Sequence, residues 1–167
     1  MAVVDTKSTA ITRQEAAPKQ KVPAYLAGGV VREFVATVEV ANGDSIASIL
    51  RMVSVHSSWR VSDVELLCDA ITSAAADIGL YDTFDNGAAV VDADFFASAQ
   101  SIASALVIGT RVQHESAVVG VEDIEKRLWE ALGLTADPGK FYDICLTLTA
   151  AATAAGTVSL KVRAVEN

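Results

Sequence analysis

The chain has 167 residues, a length typical of one domain with a sizeable core. Its net charge of −8 argues against nucleic-acid binding by the body of the protein, because neutralising phosphates requires clustered Lys and Arg. No apolar run approaches the roughly 18–20 residues that a membrane helix needs, and the first twenty residues lack the apolar segment of a signal peptide. We therefore expect a single-domain protein without a membrane or nucleic-acid partner.

The charge is distributed unevenly along the chain. Four basic and two acidic side chains give residues 1–24 a net charge of +2, which leaves −10 for the rest of a chain whose total is −8. Between Arg60 and Arg111 there is no basic residue at all. Two interpretations are open: a solvated acidic face, or an acidic body that meets a basic surface or a neighbour's basic arm. The acidic residues of this stretch are Asp63, Glu65, Asp69, Asp77, Asp82, Asp85, Asp92 and Asp94.

Residues 1–24 predict a flexible or extended N-terminal arm, and residues 25–167 predict a single β-sandwich domain. The arm contains Pro18 and Pro23, several polar residues and no sustained period. Such a segment stays mobile unless a partner orders it. The candidate partner contacts in and beside the arm are Arg13, Lys19, Lys21 and Tyr25.

Four strands are predicted in the first half of the body. In residues 31–40, Phe34, Ala36 and Val38 share one face, and polar side chains occupy most of the other. The sequence ANGDS that follows is a strong turn, since Asn-Gly favours a positive φ. The other predicted strands are residues 48–56, 62–70 and 76–82, and a further turn is predicted over residues 82–87.

Two helices are predicted after these strands. Residues 91–106 place apolar side chains in helical register, with Asp92 suited to the N-cap and Asp94 to the first turn. In residues 121–134 the apolar positions follow i, i+3, i+7 and i+11 spacing, and acidic residues precede basic ones. Residues 105–114, between the two helices, fit either a strand or a loop.

The C-terminal residues 142–165 predict a β-hairpin. Apolar and polar side chains alternate on both sides of a small, turn-tolerant segment, residues 150–156. We expect the first body strand and this hairpin to share a sheet. Because strands recur without alternating helices, the fold class is mainly β: an antiparallel β-sandwich or jelly roll with one or two short helices and an extended N-terminal arm.

The sequence indicates no catalytic residue, cofactor or metal site. His56 precedes Ser57 and Ser58, but adjacent residues of a strand point to opposite faces, so we expect a poor geometry for a Ser–His pair. His114 is expected in a surface loop. Asp92 and Asp94 could act as paired carboxylates, but the start of a helix is the simpler interpretation.

The cysteines and tryptophans are interpreted as packing residues. Cys68 and Cys145 are expected to be small, buried and reduced. Trp59 and Trp129 are expected to be core or half-buried residues rather than interface anchors. A folded, acidic, β-rich domain with an arm and no reactive cluster is typical of a structural or interaction protein.

Residues 32–165 also resemble a known family. The phrases ADIGLYDT, NGAAVVDADFFASAQSI and YDICLTLTAAATAAGTVSLKVRAV are similar to those of the jelly-roll cement, or decoration, proteins of tailed bacteriophages. The resemblance rests on residues 79–82, on residues 92–94 and on the Ala-Thr-rich C-terminal segment.

This resemblance implies a non-enzymatic virion protein without a cofactor. It would be made in the host cytoplasm and would bind the outer surface of an icosahedral head, where it would stabilise junctions between subunits of the major capsid protein. It would also bind itself as a homo-oligomer, expected to be a dimer. The alternatives are another phage structural component, such as a neck, tail-adaptor or fibre-base protein, or a carbohydrate-binding sandwich module.

Overall fold

The computed structural model describes residues 4–166, which form eight strands and two short α-helices. Within this range, no helix is long and apolar enough to cross a membrane. The elements are α1 (Thr9–Glu15), β1 (Val30–Val40), β2 (Ile49–His56), β3 (Arg60–Cys68), β4 (Ala75–Asp82), β5 (Val90–Ser101), β6 (Thr110–Arg111), α2 (Leu128–Ala131), β7 (Phe141–Ala150) and β8 (Gly156–Glu166).

The strands form two antiparallel sheets that pack face to face. The first sheet has the order β1-β8-β3-β6 and the second has the order β2-β7-β4-β5. One long hairpin, folded over on itself, accounts for four of the strand pairs: β1–β8, β2–β7, β3–β6 and β4–β5. The additional pairs β3–β8 and β4–β7 close this hairpin into a jelly roll. The predicted fold class is therefore confirmed.

The core lies between the two sheets and is built from their inward-facing side chains. Along β8, Val158, Leu160 and Val162 are fully buried, and along β7 Ile144 and Leu146 face them from the other sheet. Two sheets with alternating apolar faces bury those faces only by packing on each other, about 10 Å apart. These side chains belong to one hydrophobic cluster that contains most of the buried apolar residues of the domain.

The strands predicted in the first half of the body are confirmed as β1 to β4. The inner face of β1 is also as expected: Phe34, Ala36 and Val38 are half-buried while their neighbours are exposed. The segment left open between strand and loop contains β6, which is only two residues long. Cys68 and Cys145 are buried free thiols, as expected.

The predicted helix over residues 91–106 is wrong, because most of this segment is strand β5. The register between β4 and β5 shifts at three places, so the strand loses the strict alternation that identifies a strand in sequence. Phe95, Phe96 and Ala97 are buried one after another, and Ala99 has a positive φ of 50°. Asp92 lies inside the strand and caps no helix.

The predicted helix over residues 121–134 is largely wrong. The structure has a 3-10 turn over Val121–Asp123 and then α2, which is four residues long. Only the second half of the apolar stripe faces the core: Val121 is 77% and Ile124 is 50% exposed, whereas Leu128 is buried and Leu132 packs against the core. Arg127 is extended, with ψ of 162°, and this breaks the segment in two.

The predicted hairpin over residues 142–165 is wrong in its pairing but correct in its strands. β7 lies in the second sheet between β2 and β4, whereas β8 lies in the first sheet between β1 and β3. Residues 151–155 therefore cross from one sheet to the other. Both strands bury one face in the same core, so each shows the alternation that a hairpin would show.

Gly79, on β4, allows the irregular neighbouring strand β5 to approach β4 closely. A Cβ placed on Gly79 would lie 2.1 Å from the carbonyl oxygen of Asp92 and 2.2 Å from that of Ala93. Both contacts are with backbone, which cannot move aside as a flexible side chain could. The close approach of the two strands thus requires a residue without a side chain.

We predict that Gly79→Ala lowers the free energy of unfolding by about 3 kcal/mol or more, since the added methyl group forces β5 away from β4. Thermal denaturation followed by circular dichroism measures the effect. Gly43→Ala is the control: Gly43 has a φ of +97° and open space around a Cβ, so only the conformational cost of about 1–2 kcal/mol applies. Equal melting temperatures for the two variants would contradict the close approach.

Candidate interaction surfaces

The predicted arm contains a short helix where its sequence showed no sustained period. Helix α1 has no buried residue, and the Ser8 hydroxyl caps it by accepting a hydrogen bond from the Ile11 amide at 3.4 Å. The Gln20 amide donates to the Arg13 carbonyl at 3.0 Å, and the Arg13 guanidinium donates to the Lys21 carbonyl at 3.4 Å. The helix therefore folds back on the segment that follows it.

The arm is joined to the body at Tyr25. The Arg60 Nε donates to the Tyr25 carbonyl at 2.8 Å, and the Arg127 guanidinium lies over the rings of Tyr25 and Trp129, 5.1 and 4.9 Å from their centroids. The Glu130 carboxylate accepts hydrogen bonds from both Arg127 Nε and Nη2, at 3.1 and 2.8 Å. Tyr25 is thus a half-buried anchor of the arm.

The four candidate contact residues therefore occupy two different environments. Arg13 and Lys21 meet within the arm, and Lys19 is exposed beside them. Tyr25 is held by the body. The four residues therefore do not form one site. Three of them are basic side chains of the arm, which is attached to the body at Tyr25.

The acidic stretch between Arg60 and Arg111 does not form a single acidic face. Its residues are distributed over β3 in the first sheet, β4 and β5 in the second, and the loops. Asp63 accepts from Arg163 at 3.3 Å and lies 3.4 Å from Arg111. Among residues 4–166, five others have partners: Glu65 with Lys161, Asp82 with Lys140, Asp69 with the Thr157 amide, Asp77 with the Ala99 amide and Asp92 with the Asp94 amide.

A row of alternating charges crosses the outer face of the first sheet. Exposed ion pairs stabilise a fold little individually, but they remove the net charge of the surface that carries them. This face is therefore close to neutral in a protein that is strongly acidic overall. The row runs from Arg111 on β6 through Asp63 on β3 and Arg163 on β8 to Glu33 on β1, with separations of 3.4, 3.3 and 2.7 Å.

His56 contacts Ser58, contrary to the expected poor geometry. Strand β2 ends at His56, and the following turn brings the Ser58 hydroxyl to 2.8 Å from His56 Nδ1. The alternation of faces that argued against the pair applies only inside a strand. Among residues 4–166, no carboxylate makes a hydrogen bond to His56, and its ring packs on Phe141 at 4.9 Å between centroids. This arrangement lacks the third group of a catalytic triad.

Ser57 and Asp137 connect two loops at the end of the sandwich where the arm is attached. The Ser57 hydroxyl donates to Asp137 at 2.5 Å, and the Gly139 amide donates to the same carboxylate at 2.9 Å. Burial opposes ionisation of Asp137, but these hydrogen bonds outweigh it and hold the pKa of Asp137 below its usual value. The contact positions loops rather than a nucleophile.

Asp92 and Asp94 lie close together on β5. The Asp94 amide donates to Asp92 Oδ1 at 3.3 Å. Burial, followed by the neighbouring Asp94 carboxyl, raises the pKa of Asp92. In residues 4–166, no group of three or more His, Cys, Asp or Glu residues is arranged to hold a metal ion. His114 Nδ1 donates to the Val119 carbonyl of its own loop at 2.8 Å.

Sequence reasoning missed an open groove beside the loop that joins β4 and β5. The groove has a volume of about 610 Å³ and is lined by Phe84, Asp85, Asn86, Lys140 and Phe141, among others. The Phe84 side chain is 86% exposed, and Phe141 is also exposed. The turn predicted over residues 82–87 located this loop, but a turn pattern does not reveal which side chain will project from it.

Trp59 and Trp129 are half-buried, as expected.

Comparison with known proteins gives a fold relationship. No protein-family model and no curated protein matches the chain. A chain of the Cyanophage Pam1 capsid asymmetric unit has a TM-score of 0.55 and 18% identity, and the match covers 97% of this chain and 98% of that one. A chain of the capsid of Ralstonia phage GP4 has a TM-score of 0.57 and 14% identity, over 83% of this chain and 86% of that one. These likenesses concern the fold, including its overall extent.

We predict that Glu130→Gln flattens the acid side of the stability profile. The hydrogen bonds from Arg127 hold the pKa of Glu130 below its usual value, so Glu130 contributes stability above the pKa of the unfolded chain. That stability is lost as the pH falls through the lower folded pKa. Melting temperatures between pH 6 and 3, a range set by the usual Glu pKa of about 4.3, test this. Glu15→Gln is the control, because it changes the net charge by the same amount outside this loop. If the melting temperature of Glu130→Gln falls with acid as steeply as that of the wild type, the prediction is refuted.

We also predict that neither thiol of the folded protein reacts with Ellman's reagent at a pH of about 8, the range in which a free Cys begins to ionise. Burial raises the pKa of Cys145 to about 12 and also raises the pKa of Cys68. Two thiols per chain should react once denaturant is added. Rapid reaction of either thiol under native conditions would show that its strand opens far more readily than its burial implies.

Proposed function

We propose that this chain is a structural component of a tailed-phage capsid, and specifically a cement, or decoration, protein that binds the outside of the head. The observation that carries the proposal is the end-to-end agreement in fold with a chain of a phage capsid asymmetric unit. The match covers 97% of this chain and 98% of that one. It is supported by the resemblance of residues 32–165 to cement proteins.

The surface chemistry fits a binding partner that is large and proteinaceous. The body is a sandwich with several ion pairs on its surface, and its His, Ser and Asp contacts connect loops. Residues 4–21 carry basic side chains and have no buried residue in their helix. Many copies on one shell turn modest individual contacts into a large collective stabilisation.

The partners in this proposal are the major capsid protein and a second copy of the chain. The protein would sit on the outer capsid surface of the virion, at contacts between major capsid subunits. It would act without a cofactor, without enzymatic activity, and without direct contact to nucleic acid or membrane. Arg13, Lys19 and Lys21 are the proposed capsid contacts of the arm, and Tyr25 is the residue from which the arm projects.

The first test is a quantitative mass-spectrometric count of this chain in purified source particles. A cement protein should be present in a copy number comparable to that of the major capsid protein. A count of about a dozen or fewer, the number set by a single ring on one vertex, would favour a neck, tail-adaptor or fibre-base component. Complete absence from particles would refute the structural role.

We predict that removing residues 1–21 leaves the body folded but reduces its occupancy on heads. Residues 22–24 are half-buried against the body and are kept, so the melting temperature should stay within about 2 °C of the full chain. Occupancy is measured by binding to heads that lack the protein, followed by sedimentation.

A full-length variant that combines Lys19→Glu and Lys21→Glu is the matched control for charge. It should bind heads more weakly than the full chain if basic side chains make the contact, and its salt dependence should be smaller. Unchanged occupancy after removal of residues 1–21 would exclude the arm from the interface.

The groove beside Phe84 supports a second candidate, a carbohydrate-binding sandwich module. Exposed aromatic rings next to amide and carboxylate groups are chemically suited to the apolar faces and hydroxyls of sugars. A glycan array decides between the candidates, with Phe84→Ala as the control. Binding that disappears in this variant would favour the module.

A further inference from the structure

Strand β1 forms an open edge of the first sheet. It is eleven residues long, and in residues 4–166 no strand lies beside it on the side away from β8. Its side-chain hydrogen bonds all go to β8, for example from Arg32 to Glu166 at 2.7 Å and between Thr37 and Ser159 at 2.8 Å. Natural proteins shorten, cover, charge or pair such edges, because unpaired backbone groups attract another strand.

The end of the N-terminal arm next to the body, residues 24–29, does not cover this edge. A Cβ on Gly29 would lie 2.5 Å from Val165 Cγ1 and 2.5 Å from the Ala24 carbonyl oxygen. Tyr25 is bound by Arg60 on β3. The root of the arm therefore lies on the β8 side of β1, across the sheet from the open edge.

The usual protection of an edge strand is also missing. Val35 is 65% and Val31 is 60% exposed on the outer face, and the strand contains no proline. Its charged side chains are all held by β8, Arg32 and Glu33 through ion pairs and Glu39 through a hydrogen bond from Thr157, so they do not project along the free edge. The edge is β-branched, apolar and accessible.

The local charge favours a second copy of this chain as the occupant. Acidic surfaces repel one another, so most of the body of a protein with a net charge of −8 is unfavourable for self-association. The β1 edge differs because its charges nearly balance. β1 carries Arg32 against Glu33 and Glu39, and the outer face and end of β8 carry Lys161 and Arg163 against Glu166. Lys161 is also paired with Glu65 on β3.

The strand is also complementary to itself. An antiparallel pairing about a two-fold axis at Val35, its central residue, aligns all eleven residues of both strands. Val31 then faces Glu39 of the second copy, and Glu33 faces Thr37 of the second copy. In this register no two like charges oppose each other, and the β-branched residue at the axis packs on its own copy.

We propose that two copies of the chain pair through β1 in this register and join their first sheets into one continuous eight-stranded sheet. The inference deepens the homo-oligomer part of the proposed function. It concerns an interface that forms in solution, so it can be tested without capsids.

Disulfide trapping tests both the interface and its register. In the proposed pair, the Cβ atoms of the two copies of residue 35 lie about 4.5–5.5 Å apart, which is close enough for a disulfide. Val35→Cys should therefore form a covalent dimer on mild oxidation. Val31→Cys is the matched control, because its two copies lie about 27 Å apart along the paired strands. The native thiols are buried. A monomeric Val35→Cys, or equal cross-linking of both variants, would overturn the proposal.

Charge variants give an independent measurement by sedimentation equilibrium. Val35→Lys places two like charges opposite each other at the axis, and we expect dimer affinity to fall by at least about tenfold. Val31→Lys adds the same charge opposite Glu39 of the second copy and should keep the dimer. Both positions are exposed, so circular dichroism should show both variants folded. A wild-type protein that stays monomeric up to millimolar concentration, or equal weakening by both variants, would overturn the inference.

The particle count separates this inference from the proposed function. A wild-type dimer that Val35→Lys dissociates, but that is absent from particles, supports the β1 interface and refutes the capsid role. A wild-type monomer that is abundant in particles refutes the interface and leaves the capsid role standing.

Discussion

The whole structure depends on one constraint: each sheet has a single apolar face, and the two faces can be buried only against each other. Leu160 on β8 and Leu146 on β7 belong to different sheets, yet both are fully buried in the same layer. The long folded hairpin satisfies this constraint because consecutive strands alternate between the sheets over most of its length. Close packing then leaves little freedom inside, as the contact at Gly79 shows.

Because the core occupies the space between the sheets, interactions with other molecules must use faces, edges and loops. The outer face of the first sheet is neutralised by its own row of ion pairs, of which Arg163 is the central member. The arm and the β1 edge are different, since the arm exposes Lys19 and Lys21 and the edge exposes Val31 and Val35. A protein that presents an anchored basic arm and an open strand is equipped for assembly. This is the physical basis on which we propose a capsid role.

The surface also explains how an acidic protein could assemble in many copies. Long-range repulsion between bodies of the same charge keeps molecules apart, while a locally neutral edge permits contact in one orientation. The +2 charge of residues 1–24 offers attraction to an acidic neighbour. Under our proposal, the edge would join copies to each other and the arm would join them to the shell, so the two contacts would be chemically independent.

The sequence by itself determined the fold class and most of the strands, because alternation in segments such as residues 31–40 and 142–148 reports directly on one buried face. It did not determine which strands pair with each other, nor which segments depart from regular alternation. Alternation is the same whether β7 and β8 pair or face each other across the core, so only the tertiary structure decided that they lie in different sheets. The sequence pattern of β5 predicts a helix because its register shifts bury Phe95 and Phe96 in succession. The contact of His56 with Ser58, the exposure of Phe84 and the open edge at Val35 likewise depend on how distant strands meet, which no local pattern encodes.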